Sequence, residues 1–164
     1  MSEMIEHLHA LGYAPVHPDT PVPPGYADGL EEALGCELPD DFKEFIREFP
    51  LTGAIDEGSL IHLPDGQIGP EGPELRWSTL LGHEPEPNGG LVAANTEYSD
   101  HAVEDMIIIG DDIAGNFLYM GVNGRPGIYF KDRDIHEVMT REQMIFVRPS
   151  FAEFILDTYI DPDA

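Results

Sequence analysis

Apolar positions change period once along the chain, and the change divides it into helical and extended parts. Phe42, Phe45, Ile46 and Phe49 recur at i, i+3, i+4 and i+7, the spacing of one stripe on a helix. Pro39 suits the start of that helix because its missing N–H would be unpaired there anyway, and Asp40 and Asp41 put negative charge on the first turn, against the dipole. Burying each of the three aromatics is worth roughly 1.5–3 kcal/mol, so the helix should hold the core. Just upstream, Asp28 and Glu31 have the spacing of a capping box, Leu30, Ala33 and Leu34 share a face, and Gly35 suits a helix exit. Ser2 can cap a first helix with Met4, Ile5, Leu8 and Leu11 on one side and Gly12 at its end. Ser150 and Glu153 form a capping box for a last helix striped by Phe151, Phe154, Ile155 and Tyr159.

After Phe49 the pattern turns to short apolar runs cut by Gly and Pro: Leu60 to Leu63, Leu80-Leu81, Leu91 to Ala94, Met106 to Ile109, Phe117 to Val122 and Ile128 to Phe130. These predict strands. Asn123-Gly124 predicts a hairpin turn and Asp65-Gly66 another tight turn. The run Ile107-Ile108-Ile109 predicts a central strand covered on both faces. Pro64 to Gly90, rich in Pro, Gly and Glu, reads as long loops tied to the core by Trp77 and Leu80. Residues beyond Ile160 should fray. Five prolines between Ala14 and Gly25 predict an extended strap joining the first helix to the body, with docking into an aromatic groove as the other use of such a segment. The expectation is an α+β fold: a mostly antiparallel sheet packed by N-terminal helices and a C-terminal helix. Residues 1–27 would form the first helix and connector, and 28–160 the domain.

Two helix motifs in this series carry a resemblance. Glu32-Ala33-Leu34-Gly35 followed by Leu38-Pro39-Asp40-Asp41-Phe42-Lys43-Glu44-Phe45-Ile46 resembles the opening motif of the SUKH superfamily, which includes cell-wall-assembly-regulator-like proteins and bacterial toxin-immunity proteins. Ile107-Ile108-Ile109-Gly110-Asp111 with Gly115-Asn116 is similar to the family's central strand, turn and strand, and Ser150 to Ile155 to its closing helix. The likeness runs in order from about Asp28 to Tyr159. It departs after the second helix, where family members often carry Asn-Gly and this chain reads Phe49-Pro50-Leu51-Thr52-Gly53. The resemblance implies a protein that works by binding another protein, either as an immunity protein or as an intracellular regulatory module.

Composition narrows the partner. The 164 residues suit one domain, 41% are apolar, and no apolar run approaches a membrane span. Met1 to Leu11 contains Glu3 and Glu6 and no Lys or Arg, unlike a targeting segment, so a cytoplasmic location is expected. Cys36 has no second cysteine to pair with and lies among apolar neighbours, which suits a packed thiol. Thirty-two acidic residues against eight basic ones give a net charge of −24. A polyanion repels nucleic acid and anionic membrane, so neither is an expected partner. Thirteen carboxylates lie between Asp56 and Asp112, with Arg76 alone to offset them. This concentration points to a basic protein partner, such as a nuclease-type toxin, drawn in electrostatically; a solvated acidic surface or a salt-adapted protein would share the composition. Asp56, Glu57, Asp111 and Asp112 are the expected partner-binding residues.

Motifs for catalysis are missing: there is no phosphate-binding glycine loop, no histidine pair at helical metal spacing and no nucleophile elbow. No cofactor, metal or catalytic residue is assigned. Asp111, Asp112 and Asn116 crowd one turn and could face a hard cation, but Asp and Asn beside Gly ordinarily bond their own backbone. His62, His83, His101 and His136 lie among carboxylates; a His–Asp pair meeting in space would leave a hydrolase as the third possibility.

Overall fold

A computed structural model describes residues 2–70, 72–85, 90–112, 114–132 and 140–163. Its helices are α1 (Glu3–Ala10), α2 (Tyr26–Leu34), α3 (Asp40–Glu48), α4 (Gly90–Glu97) and α5 (Phe151–Leu156). Its strands are β1 (Ala14–Pro15), β2 (Gly53–His62), β3 (Glu74–Leu80), β4 (Met106–Asp112), β5 (Phe117–Gly121), β6 (Ile128–Lys131), β7 (Ile145–Arg148) and β8 (Tyr159–Ile160). β1 to β7 lie side by side in sequence order, and β8 pairs with β2 beyond β1. Every pairing between these strands is antiparallel. The architecture is the expected α+β one.

Two apolar layers explain why Ile107 to Ile109 form an uninterrupted run. Ile107 and Ile109 face the larger core, where Met4, Leu8, Phe42, Phe45 and Phe154 of the helices gather. Ile108 points the other way, into a smaller cluster with Met106, Phe117, Tyr119, Val103 and Met144. A strand covered on both sides needs no polar alternation. In the helical layer Phe151 meets Phe42 at 5.1 Å and Phe45 at 4.9 Å, so the α3 and α5 stripes read from the sequence pack against each other. Ser2 and Ser150 cap their helices, accepting hydrogen bonds from the backbone N–H of Ile5 and Glu153.

The Asn123-Gly124 turn forms with φ of 58° and 78°, the paired positive values of the mirror-image hairpin turn. Its tip docks on the α2–α3 connection: Asn123 N–H donates to Glu37 O, and Asn123 Oδ1 accepts from Glu37 N–H, each at 2.8 Å.

Several expectations change. α2 begins at Tyr26, before Asp28, because Pro24-Gly25 makes a tight turn closed by Tyr26 N–H to Pro23 O at 3.2 Å, with Gly25 at φ 72°. Glu31 therefore caps nothing at the start of α2; its carboxylate accepts from Leu38 N–H at 2.8 Å and meets Lys43 at 3.3 Å. Leu91 to Ala94 is helix, part of α4, since a four-residue apolar run does not distinguish the two periods. β3 reaches back to Glu74, where a long loop was expected, with Leu75 and Trp77 buried. β7 had no counterpart among the expected strands. At the other end α5 stops at Leu156, so Tyr159 lies on a strand. The chain stays attached past Ile160: Asp161 is buried and its carboxylate meets the Arg76 guanidinium at 2.5 Å.

Candidate functional site

α4 and the end of β4 enclose a cleft of about 210 Å³ whose walls include Glu84, Glu97, Tyr98, Gly110, Asp111 and Phe117. Gly90, Ala94 and Glu97 line it from one side of α4, at i, i+4 and i+7, and Tyr98 follows just past the helix end, its N–H bonded to Ala94 O. Tyr98 and Phe117 form an aromatic wall, their ring centroids 4.9 Å apart. Three carboxylates thus share one recess with two rings. Asp111 accepts hydrogen bonds from Thr79 Oγ1 at 2.6 Å and Thr79 N–H at 3.3 Å. Burial nevertheless pushes its carboxyl above the ordinary aspartate range, against the lowering effect of those bonds, and the neighbouring Asp112 raises it further. Such a recess suits one long cationic side chain, with its stem on the rings and its charge among the carboxylates.

The four acids named from sequence fall at one level of the sheet, on either side of β3. Ala54 pairs with Thr79, which pairs with Asp111; Ser59 pairs with Trp77, which pairs with Asp112. Between Ala54 and Ser59 the strand bulges, and there Asp56 and Glu57 are exposed. Only Asp111 of the four lines the cleft. Asp112 is turned into its own loop, where Oδ1 accepts from Ala114 N–H and Asn116 N–H and Oδ2 from Asn116 Nδ2. Asp56 and Glu57 stand two strand spacings away, about 10 Å, on the far side of β3.

Glu84 and Glu97, which line the same cleft, are not among the residues expected from the sequence. Glu97 ends a helix of which Leu91 to Ala94 were expected as a strand; with the helical period in place, Gly90, Ala94 and Glu97 fall on one face, toward the recess.

The histidines divide. His62 lies 3.7 Å from Glu74, and His83 packs its ring on Tyr26 at 5.2 Å. His101 is buried, with Nδ1 3.0 Å from the Lys131 ammonium and Nε2 3.8 Å from Asp100. His136 lies outside the described residues. Among the described residues no group of three or more His, Cys, Asp or Glu side chains is placed to hold a metal ion, and no helix is long and apolar enough to cross a membrane.

Comparison with known families gives a match over residues 24–157 to the sequence model described as SMI1 / KNR4 family (SUKH-1). A comparison with curated proteins gives no match.

Proposed function

The chain belongs to the SMI1 / KNR4 family (SUKH-1), and from that premise we propose that it is a cytoplasmic immunity protein that neutralises a basic, nuclease-type toxin by stoichiometric binding. The observation that carries the reading is the recess of Glu84, Glu97 and Asp111 against Tyr98 and Phe117. A protein that grips nucleic acid presents Lys and Arg to phosphates, and a carboxylate recess can take the place of the phosphate. The charge surplus steers the encounter, and the recess supplies a desolvated point where one cation contributes far more than at an exposed rim. Asp56 and Glu57 extend the acidic surface across β3, and Asp112 holds the loop beside Asp111. On this reading the protein acts by occupying a surface, without turnover.

Co-expression with a toxin-like protein encoded beside this chain tests it. Rescue of growth together with a stable one-to-one complex is the expected result, and Glu84→Lys with Glu97→Lys should slow association and flatten its salt dependence. A chain that instead binds several endogenous regulators and no toxin would be a regulatory module. Tight binding to polyanions would refute the acidic-recess reading.

A further inference from the structure

The proline strap carries a second, separate contact. From Ala14 to Gly25 every residue is exposed except Thr20, which is half-buried, and Val16 and Val22 are among the few large apolar side chains left in solvent, 45% and 40% exposed. The segment is held at both ends. At its start β1 pairs with β2 and Val16 N–H donates to Thr52 O at 2.9 Å; at its end the Pro23–Tyr26 turn leads into α2, where the Tyr26 ring packs on His83. Prolines 15, 18, 21 and 24 recur every three residues, the repeat of a polyproline II helix. A turn closed by Thr20 N–H to His17 O interrupts that ridge, so the extended part is Thr20 to Pro23, with Pro24 at the first corner of the turn into α2. There Thr20, Val22 and Pro23 each precede a proline, which disfavours the helical region, and no helix or strand is formed from Thr20 to Pro23.

We propose that Thr20-Pro21-Val22-Pro23-Pro24 is a preformed ligand for a partner bearing an aromatic-lined, polyproline-recognising groove. The sequence supplies the residue–proline pairs Thr20-Pro21 and Pro23-Pro24, with Pro21 and Pro24 three residues apart, the spacing that such grooves grip. Among the described residues the carbonyls of Pro18 to Val22 accept no backbone hydrogen bond, which leaves them as acceptors for the groove's Trp or Tyr. Tethering at both ends removes much of the ordering cost that a free peptide would meet on docking. Charge selects the groove. Asp19 is the one charged residue from Ala14 to Ala27, on a body of net −24, so an acidic rim would be repelled and a neutral or basic rim accepted. This contact goes beyond the acidic recess and does not depend on it.

The test titrates the full-length protein, isotope-labelled for NMR, with two probes: an isolated WW domain with a neutral or basic rim, and an isolated SH3 domain with an acidic rim. The expected result is that the WW domain shifts the amide signals of Thr20, Val22 and Gly25 and binds more tightly than the SH3 domain. Pro21→Ala with Pro24→Ala should weaken the WW contact by about tenfold or more, and Val22→Asp should weaken it without touching the backbone. Pro18→Ala, outside the extended core, and Glu97→Lys, in the acidic recess, should leave it within about twofold. Strap signals that do not move, a double variant that binds as the parent does, or a contact abolished by Glu97→Lys would each overturn the proposal.

Discussion

Asn95 of α4 completes the edge of β4 as a strand would: its Nδ2 donates to Ile108 O at 2.9 Å and its Oδ1 accepts from Ile108 N–H at 2.8 Å. β3 pairs with β4 only as far as Gly110, so on that edge no strand lies opposite buried Ile108. A side-chain amide reproduces both halves of a ladder pair and fixes α4, and with it Glu97, against the sheet. Asn95→Ala should destabilise the fold by about 1–3 kcal/mol, the range for a buried donor left unpaired. Asn95→Asp should lose at least as much, because its carboxylate would face the Ile108 carbonyl. Urea unfolding and exchange of the Ile108 amide check this; parent-like protection in Asn95→Ala would mean that water or a shifted β3 fills the edge.

Thr158 is the corresponding junction at the other end of the sheet. Its Oγ1 accepts from Trp77 Nε1 at 3.2 Å and donates to Phe154 O at 2.8 Å, and its carbonyl lies 2.8 Å from His7 Nε2. β3, α5 and α1 thus meet on one residue that is 1% exposed. Thr158→Val keeps the volume and removes the hydroxyl, leaving a buried indole N–H, and should lose about 1–3 kcal/mol. Thr158→Ser should lose less. Trp77 is the only tryptophan, so its fluorescence follows both the local change and the unfolding.

These two junctions show where sequence reading stops. Helices capped by Ser2 and Ser150, the Phe42–Phe45–Ile46 stripe, the Asn123-Gly124 turn and the covered Ile107–Ile109 strand were legible because each depends on neighbours within about four residues. Asn95 and Thr158 act across 13 and 81 positions, and nothing in their own surroundings marks them. The acidic recess was half legible for the same reason. Charge density singled out Asp111 as an expected residue, but Glu97 lines the same cleft only through a helix whose apolar run, Leu91 to Ala94, fits either period. α2 shows the opposite failure: a well-spelled capping pair at Asp28 and Glu31 was overridden by the Pro24-Gly25 turn, which starts the helix two residues earlier, at Tyr26.

Arg76 and Asp161 make an acid-sensitive lock on the C-terminal strand. The Asp161 carboxyl is held below the ordinary aspartate range, first by the N–H of Asp163 and then by Arg76. A lowered folded value means that the unfolded chain binds the proton more readily, so the lock's stabilisation is present above the ordinary aspartate range and is lost as pH falls through the lowered value. Asp161→Asn should therefore flatten the acid limb of the stability profile and lower the melting temperature at neutral pH. Melting temperatures from about pH 2 to 7, the span over which aspartates titrate, give the comparison; an acid limb identical to the parent's would assign the sensitivity to other carboxylates.

Asp111 should behave in the reverse sense, and this links the recess to binding. Burial raises its folded value, so over the window between the ordinary and the raised values the folded protein holds the extra proton, and stability falls as pH rises through that window. Asp111→Asn retains an oxygen to accept from Thr79 while removing the charge, so it should be at least as stable as the parent at neutral pH. A cationic side chain entering the recess favours the ionised carboxylate and draws that value back down. Affinity for a Lys/Arg-rich peptide should accordingly increase with pH across the same window in the parent. In Asp111→Asn the affinity should be weaker at neutral pH by about tenfold, the equivalent of one 1.4 kcal/mol interaction, and the pH dependence in that window should disappear. Glu57→Gln, across β3 on an exposed bulge, should reduce affinity only through the salt-dependent association rate. Calorimetric titration at several pH values separates these cases: if Asp111→Asn retained the parent's pH dependence, the proton would belong to another group and the recess would not be where the cation sits.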